Sequence, residues 1–499
     1  MAGSDESIEH VDVLIIGAGM SGIDAAYRVQ TMCPDKSYLI LEMRDRIGGT
    51  WDLFRYPGVR SDSDMYTLGF PFRPWSSEVS IAKGEAIRDY VEDTAREFSI
   101  DRRMRFGHRV LGASWASADD RWTVETDRGR FTCSFLFACS GYYDYAEGYR
   151  PEWEGEEDFR GQIVHPQFWP EDLDVSGKKI AVIGSGATAV TLVPSLAEQA
   201  EHVTMVQRSP SYIVARPARD RIAGFLQRLL PNRIAGSAIR WKNVLLTIFM
   251  YSRTRKKPER AAEWIKGMIR KQLPGDYPVE QHFSPTYKVW DQRLCLVPDG
   301  DLFASIRSGK TSVATGAIER FTPSGLKLVT GEEVEADIIV TATGLVVKLF
   351  GGVGFTVDGE KITASDRTLY KGMMLSCVPN YFLSFGYTNA SWTLRSDVTA
   401  KSVCRLLNHM KAGGYTVCTP RIPGEMEKRP VITFTSGYVQ RALPFLPKQG
   451  SRQPWIVPQN YVKDRFAMRF GRIDEDLEFR RNPTTVRLER SRTIGSDPR

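Results

Sequence analysis

The apolar positions near the start of the chain predict a buried strand that leads through a glycine turn into a helix. The run Val11–Ile16 is short and rich in β-branched residues, as buried parallel strands are. It is followed by Gly17-x-Gly19-x-x-Gly22 and then by a helical pattern. The next apolar run, SYLILE, ends at Glu42, which lies 20 residues after the last glycine. This order of elements predicts the first half of a βαβ unit.

A second unit of the same kind follows in KKIAVIGSGATAVTLVPSLA. Its turn reads Gly184-x-Gly186-x-x-Ala189 and again joins an apolar run to a helical pattern. The next strand, HVTMVQRS, ends in Arg208 and Ser209 where the first unit has an acid. The chain therefore carries a loose internal duplication whose two copies differ at the end of the second strand.

Both turns fit the pyrophosphate of a dinucleotide. The first glycine makes the turn, the second lets the backbone approach the phosphates, and the third residue lets the helix pack on the strand. Free N–H groups and the helix dipole attract the phosphates. Glu42 accepts from both hydroxyls of a plain ribose and repels a 2′-phosphate, which favours FAD. Arg208 with Ser209 favours NADPH over NADH, with a solvated strand-end charge as the alternative for Arg208.

The remaining pattern completes a prediction of the architecture. A helix is predicted near residues 84–98, and strands around 109–115, 122–126 and 131–139. We predict an α/β fold with two dinucleotide-binding, Rossmann-like domains, an FAD domain split in sequence and a helical insertion in the NADP domain. The predicted segments are the FAD domain (1–141), an interdomain linker (142–174), the NADP domain (175–220), a basic helical insertion (221–286), the second part of the NADP domain (287–376) and the C-terminal part of the FAD domain (377–499).

Composition narrows the class of protein. The 499 residues are 42% hydrophobic and 25% charged, which is ordinary for a globular protein and excludes a disordered or collagen-like chain. No apolar run approaches the ~20 residues of a membrane span, and the N-terminus lacks a basic segment followed by an apolar one. The seven Cys and six His are scattered, without C-x-x-C or H-x-x-x-H. We therefore expect reduced thiols, no metal site and a cytoplasmic enzyme.

Two nucleotide cofactors in one chain imply a flavin that NADPH reduces. Disulfide reductases pass the electrons to a C-x-x-x-x-C pair soon after the first glycine turn, and here Cys33 stands alone. Oxygen or a quinone remains as the common acceptor.

The linker carries a motif that identifies a family. Phe159, Gly161, His165 and Trp169 fit the pattern F-x-G-x-x-x-H-x-x-x-W-P/D, and the chain resembles the Baeyer–Villiger monooxygenases of the class B flavoproteins. A second family pattern matches Gly49, Trp51, Tyr56, Pro57, Gly58 and Asp62. Stretches such as GGTWDLFRYPGVRSDSDMYTLGF and WDQRLCLVPDGDLF closely resemble the ethionamide-activating group, and the similarity is weakest over the last ~80 residues.

The resemblance implies a reaction. NADPH would deliver hydride to FAD, and the reduced flavin would take up O2 to give a C4a-peroxyflavin. That peroxide would attack a ketone, and the tetrahedral adduct would rearrange to an ester or lactone while NADP⁺ stays bound. An enzyme of this kind needs a fixed cation near the developing oxyanion in a site closed to water.

The family's catalytic arginine and its aspartate partner map onto Arg293 and Asp62. Taken from the sequence alone, Arg293 is a surface or salt-bridge arginine, and the resemblance reverses that interpretation. His165 and Trp169 are either acid–base and substrate groups or, as we favour, a brace for the linker. Relatives often have Lys where this chain has Gln292, which weakens strict selection of NADPH.

Further contacts are implied by the resemblance for both cofactors. The helix that begins near Trp392 would aim its N-terminus at the flavin ring. The FAD set is Gly17, Gly19, Ser21, Gly22, Glu42, Gly49, Thr50, Trp51, Asp62, Val110 and Trp392. The NADP set is Arg60, Ser61, Asp62, Gly184, Ser185, Gly186, Ala187, Thr188, Ala189, Arg208 and Ser209.

Three alternatives stay open. A protonated peroxide oxidises sulfur or nitrogen, so thioethers are candidate substrates beside ketones. A flavin-binding regulatory protein without turnover is a third candidate function.

The positive charge of the chain is concentrated in one segment. Residues 221–271 hold 13 Lys or Arg and two Glu, a local net charge of +11. The whole chain has a net charge of +7, so the remaining residues sum to −4. That segment could attract NADPH, contact an acidic membrane or, as we favour, keep exposed helices soluble. A basic charge confined to one segment does not indicate a nucleic-acid-binding protein. The sequence does not predict the oligomeric state.

Overall fold

The computed structural model describes residues 8–482. Its helices are α1 (Met20–Met32), α2 (Thr50–Leu53), α3 (Met65–Leu68), α4 (Gly84–Glu97), α5 (Ala187–Leu196), α6 (Arg221–Leu229), α7 (Asn232–Lys256), α8 (Pro258–Arg270), α9 (Val279–His282), α10 (Asp301–Arg307), α11 (Trp392–Gly413), α12 (Gly437–Ala442) and α13 (Tyr461–Phe470). Its strands are β1 (Glu9–Ile16), β2 (Tyr38–Leu41), β3 (Met104–Arg105), β4 (Val110–Ala116), β5 (Arg121–Thr126), β6 (Gly129–Ala138), β7 (Tyr143–Gly148), β8 (Gln162–Val164), β9 (Lys179–Ile183), β10 (His202–Gln207), β11 (Ile213–Arg216), β12 (Cys295–Pro298), β13 (Thr311–Thr315), β14 (Ile318–Thr322), β15 (Gly325–Leu328), β16 (Glu333–Glu335), β17 (Ile338–Thr341), β18 (Leu345–Val347), β19 (Gly354–Val357), β20 (Glu360–Ile362), β21 (Leu369–Tyr370), β22 (Met374–Leu375), β23 (Tyr381–Leu383), β24 (Val417–Pro420), β25 (Lys428–Pro430), β26 (Lys448–Gly450) and β27 (Leu477–Arg480).

The first glycine turn belongs to a nine-stranded sheet with the order β20-β19-β4-β5-β6-β1-β2-β3, in which β23 also pairs with β6. Strands β3, β2, β1, β6 and β23 run parallel. Strands β2 and β23 and the last four residues of β1 and of β6 are apolar and buried, as in parallel sheets that helices cover. Helices α1 and α11 pack together over this parallel part and close the largest core. The predicted helix near 84–98 and the three predicted strands after it are confirmed as α4, β4, β5 and β6.

The second glycine turn belongs to a parallel five-stranded sheet with the order β13-β10-β9-β17-β8. Strand β8 comes from the predicted linker and forms one edge of this sheet by pairing with β17. The two sheets confirm the predicted pair of Rossmann-like units, and each glycine turn lies at the carboxyl end of a central parallel strand.

The predicted boundary at residue 376 is wrong. Strand β19 pairs in parallel with β4 of the first sheet, and β20 extends the same edge. Phe355 of β19 is buried and meets Trp122 edge-on, with ring centroids 6.3 Å apart. The chain therefore returns to the first sheet by Gly354. Strand β19 pairs there with β4, and its Phe355 packs against the apolar residues of that sheet.

Helices α6 to α9 occupy the segment predicted as an insertion, and α7 contacts the first domain. Arg240 of α7 is buried and donates through Nη1 to the backbone oxygens of Tyr66 and Gly69, at 3.1 and 2.7 Å. Asn243 donates to Asp64 Oδ1 at 2.8 Å. No helix within residues 8–482 is both long and apolar enough to cross a membrane.

Candidate active site

One cavity of about 890 Å³ lies against both glycine turns. Its walls include most of the residues that the sequence nominated for cofactors and catalysis. These are Gly17, Gly19, Ser21, Glu42, Gly49, Thr50, Trp51, Arg60, Ser61, Asp62, Val110, Gly184, Ser185, Gly186, Ala187, Thr188, Arg208, Ser209, Arg293 and Trp392. Gly22 and Ala189 lie behind the turns, in the first turns of α1 and α5.

The first turn is tightly packed and ends at a buried acid. Gly17 has φ +102°, and a Cβ on Gly22 would lie 1.8 Å from the Gly17 oxygen. Glu42 is only 5% exposed and accepts from the backbone N–H groups of Ala18 (2.7 Å) and Arg44 (2.8 Å). Burial raises the pKa of Glu42 above its ordinary value. Its place beside the turn fits the ribose of an adenine nucleotide.

The second turn is more open. Gly184 has φ +137°, whereas a Cβ on Gly186 would meet nothing within 4 Å. Ser185 hydrogen-bonds through Oγ to Ser211 Oγ at 2.9 Å. Arg208 is exposed at the rim and makes no ion pair within residues 8–482. The free N–H groups and this cation suit a phosphorylated ribose.

Arg293 and Asp62 meet at the cavity wall. Arg293 Nε lies 2.6 Å from Asp62 Oδ2, although the two residues are far apart in sequence. The adjacent carboxylate raises the pKa of Arg293 well above its ordinary value, so the guanidinium stays charged. The side chains are 37% and 31% exposed, which leaves room for a bound molecule to reach the cation.

Tyrosines surround this cation. Tyr142 and Tyr143 share a hydroxyl–hydroxyl hydrogen bond of 2.7 Å, and both line the cavity together with Tyr438. Burial raises the pKa of Tyr142 to about 12, so its phenol stays neutral near pH 7. Tyr142 also stacks on Trp392, with ring centroids 5.0 Å apart. The arrangement supplies neutral hydrogen-bond donors beside one fixed cation.

Trp392 begins α11, the helix expected to point at the flavin. Its Nε1 donates to Ser21 Oγ at 2.8 Å, which joins the N-terminus of α11 to the first turn of α1. Both residues line the cavity. A molecule bound there would therefore lie next to the positive end of a 22-residue helix.

Two predicted NADP contacts have other partners. Arg60 donates through Nη1 to Asp301 Oδ2 at 2.5 Å and through Nη2 to Asp301 Oδ1 at 3.4 Å. Ser61 donates to the backbone oxygen of Ser63. Both side chains still border the cavity, so their assignment to NADP stays a prediction.

The four fingerprint residues lie outside the cavity wall. Phe159 meets Phe321 edge-on with centroids 6.3 Å apart, and a Cβ on Gly161 would lie 2.2 Å from the Asp337 oxygen. His165 caps a short turn by accepting from the Gln167 N–H at 3.2 Å, and burial lowers its pKa. Trp169 packs at the margin of the second core. These contacts suit a linker brace, and that role stays a prediction.

Sequence reasoning missed several residues of the wall. Tyr142 and Tyr143 come four and five residues after β6 ends at Ala138. Ligands collect at the carboxyl ends of strands in parallel sheets, so this position was a usable signal. Tyr438 and Arg441 lie on α12 in a stretch without any motif, and nothing local indicated them.

Known proteins resemble this chain over nearly all its length. The family model of pyridine nucleotide-disulphide oxidoreductases matches residues 14–228. The FAD-containing monooxygenase EthA of Mycobacterium tuberculosis is 55% identical over 96% of this chain and 99% of its own. The probable FAD-binding monooxygenase AlmA of Acinetobacter baylyi is 44% identical over 96% and 98%. A caprolactone-bound cyclohexanone monooxygenase has TM-score 0.73 at 20% identity, over 95% and 100%.

Two dinucleotide-binding units that border one cavity are the arrangement of an oxidoreductase with two nucleotide cofactors. The identity to curated relatives is more specific than the fold. This chain belongs to the family of FAD-containing monooxygenases.

Proposed function

We propose that this monooxygenase uses FAD and NADPH to insert one oxygen atom from O2 into ketones. Ketone, O2, NADPH and H⁺ give ester or lactone, NADP⁺ and water, so one oxygen atom enters the product and the other leaves as water. FAD, when bound, supplies the activation of O2. The observation that carries the proposal is the Arg293–Asp62 pair, 2.6 Å apart, on the wall of the cavity that both glycine turns border.

The residues of this chain have separate tasks in the proposal. The first turn and Glu42 bind the adenine nucleotide of FAD, and the second turn with Arg208 binds NADPH. Arg293 places a permanent cation where an oxyanion develops on the substrate, and Asp62 orients the guanidinium. The neutral phenols of Tyr142 and Tyr143 exclude water without adding a competing negative charge.

The decisive assay supplies purified holoenzyme with NADPH, ¹⁸O2 and a panel of aryl and aliphatic ketones. One labelled oxygen in an ester or lactone supports the proposal, and a panel without any ester overturns it. In Arg293→Met, we expect kcat for ester formation to fall by about 10²- to 10³-fold, as when a preorganised oxyanion donor is removed. Anaerobic reduction of the flavin by NADPH should change little, since hydride transfer precedes the step that needs this cation.

Oxidation of thioethers or thioamides is the second candidate activity of the same site. Arg293 is partly exposed and the cavity wall is rich in aromatic residues, so the site admits a ketone and a sulfide equally. Equimolar ketone and thioether in one assay measure the ratio of ester to sulfoxide. A sulfoxide without ester would make the protein an S-oxygenase.

We propose a cytoplasmic enzyme whose basic insertion, besides keeping exposed helices soluble, can contact anionic membranes. Helix α7 leaves Leu245, Leu246 and Phe249 exposed, and the neighbouring α6 leaves Phe225 and Leu229 exposed. Both helices lie within the segment of local charge +11. Exposed apolar stripes beside Lys and Arg suit a surface with anionic headgroups.

Flotation with vesicles tests this contact. The protein should float with anionic phospholipid vesicles at low salt and remain below with neutral vesicles or at high salt. Leu245→Gln with Phe249→Gln should reduce flotation without changing the melting temperature, because both side chains are exposed. An absence of binding at low salt would remove the membrane contact from the proposal.

A further inference from the structure

The loop that carries Arg293 is attached to the C-terminal end of α7. Arg255 donates through Nη1 to Asp291 Oδ1 at 2.7 Å. Trp290 donates through Nε1 to Thr254 Oγ1 at 2.8 Å, and Thr254 in turn donates to a backbone oxygen of its own helix at 2.7 Å. Two consecutive residues of α7 therefore hold two consecutive residues of the loop.

Ring packing and backbone conformation add to this attachment. The ring of Tyr251 meets that of Trp290 edge-on, with centroids 5.2 Å apart and planes at 69°. Trp290 has φ +74°, a left-handed conformation that is rare for a bulky side chain. Such a conformation persists where the surroundings over-determine it, and here α7 supplies those surroundings.

A third segment also contacts the loop. Thr435 donates to the backbone oxygen of Asp291 through its N–H (2.8 Å) and through Oγ1 (3.2 Å). Thr435 lies shortly before α12, the helix that brings Tyr438 to the cavity. Asp291 thus joins the insertion, the arginine loop and the C-terminal region of the chain.

Arg293 is held at its guanidinium by Asp62 and along the chain by its own backbone. Its side chain is 37% exposed, and Asp62 comes from the other dinucleotide domain. The position of the guanidinium therefore depends on the backbone just before it as well as on the ion pair. Asp291 and Trp290 set that backbone, two and three residues upstream.

We propose that the C-terminal end of α7 positions Arg293, with Arg255 and Thr254 as positioning residues. The inference rests on the proposed role of Arg293. It gives the basic insertion a second task beside its charge: α7 is anchored in the first domain through Arg240 and at its far end holds the loop that faces Asp62. Helix α7 thereby fixes the position of the arginine loop, in the second domain, relative to the first domain.

The test uses the holoenzyme with Arg255→Gln, Thr254→Val and the double variant. In the double variant we expect kcat for ester formation to fall about tenfold, with a smaller change in KM and more hydrogen peroxide per NADPH. A displacement of about 1 Å costs up to ~10²-fold, which bounds the effect. Deuterium exchange in the peptide covering 288–294 should become faster, and this readout does not depend on turnover.

Arg253→Gln is the matched control. Arg253 is exposed on the same turn of α7, and its substitution removes the same charge without touching the loop. It should leave kcat, peroxide yield and exchange at 288–294 unchanged. Arg255→Lys should restore most of the kcat lost in Arg255→Gln, because the ammonium group still meets the carboxylate of Asp291.

The outcomes separate this inference from the proposed function. Unchanged exchange at 288–294 together with an unchanged yield of ester per NADPH in the double variant would overturn the positioning role. If the double variant fails to fold, Arg255→Gln alone decides by the same two readouts. Full ester formation in Arg293→Met would instead overturn the role of the arginine, whatever the exchange data show.

Discussion

The two glycine turns have the same backbone plan and different surroundings. In each turn the first glycine has a positive φ, +102° for Gly17 and +137° for Gly184. The N–H of this glycine donates to a backbone oxygen near the end of the next parallel strand. Gly17 bonds to Leu41 and Gly184 bonds to Val206, both at 2.8 Å. Both turns therefore present free N–H groups to a pyrophosphate in the same way.

The strand ends beside the two turns differ in burial and charge. The first strand pair ends at Glu42, 5% exposed and held by two backbone N–H groups. The second ends at Arg208, exposed at the cavity rim. A buried, preorganised acid suits a resident cofactor, whereas an exposed cation suits one that enters and leaves. We infer that the first glycine turn keeps its nucleotide bound, whereas the second binds a nucleotide that is exchanged.

The largest effect is expected where the first turn is tightest. Gly22→Ala puts a Cβ 1.8 Å from the Gly17 oxygen, so the turn must open. We expect the purified protein to lack most of its flavin, measured as absorbance near 450 nm per protein, and to melt at a lower temperature.

The matched change in the second turn is Ala189→Gly, which should cost about 1 kcal/mol of helix stability and leave flavin content intact. Equal flavin content in both variants would contradict the contrast between the turns.

Arg208→Gln tests the exposed cation. Because a charge-assisted hydrogen bond contributes about 1.5–3 kcal/mol, KM for NADPH should rise about 10- to 100-fold, while KM for NADH should stay the same. Arg46→Gln removes an exposed cation near the first unit and should change neither constant. An equal rise for both nucleotides would show that Arg208 does not read the 2′-phosphate.

Gly186→Ala separates nucleotide approach from folding. The new methyl group meets no protein atom within 4 Å, so the melting temperature and flavin content should not fall. It occupies the space through which the pyrophosphate approaches the backbone, and KM for NADPH should rise about tenfold, as for the loss of ~1.4 kcal/mol. Gly267→Ala in α8 is equally open and should leave KM unchanged. An unchanged KM in Gly186→Ala would argue against this approach path.

The smallest effect on nucleotide binding is expected at Asp24, which α1 buries where α5 has Thr191. Burial, and then repulsion by Asp397, raises the pKa of Asp24 to about 8 from 3.8. The folded protein keeps a proton that the unfolded chain releases, so this contribution to stability is lost as pH rises from about 4 to 8. Asp24→Asn should therefore gain melting temperature relative to wild type between about pH 5 and pH 9. If the difference in melting temperature between Asp24→Asn and wild type were the same at pH 5 and pH 9, Asp24 would not titrate in this range.

Much of this fold could be predicted because its signals are local. The turn at Gly17 and the apolar strand before it are contiguous, and their spacing is fixed by the backbone geometry of a βα unit. Strand β19 escaped prediction because four residues carry too little periodicity to reveal a partner in a distant sheet. Tyr438 escaped for a related reason, since its role depends on where α12 packs.

The two nucleotide units and the chemistry of their strand ends are encoded in the amino-acid sequence, because each signal lies within a few neighbouring residues. The meeting of Arg293 with Asp62 across the domains, and the hold of Arg255 on Asp291 beside it, arise from tertiary packing. Ion pairs between distant segments depend on how whole sheets and helices pack, and no local spacing encodes them. The basic insertion combines both cases: its charge is read directly from the residues, and its contact with the arginine loop is visible only once the chain has folded.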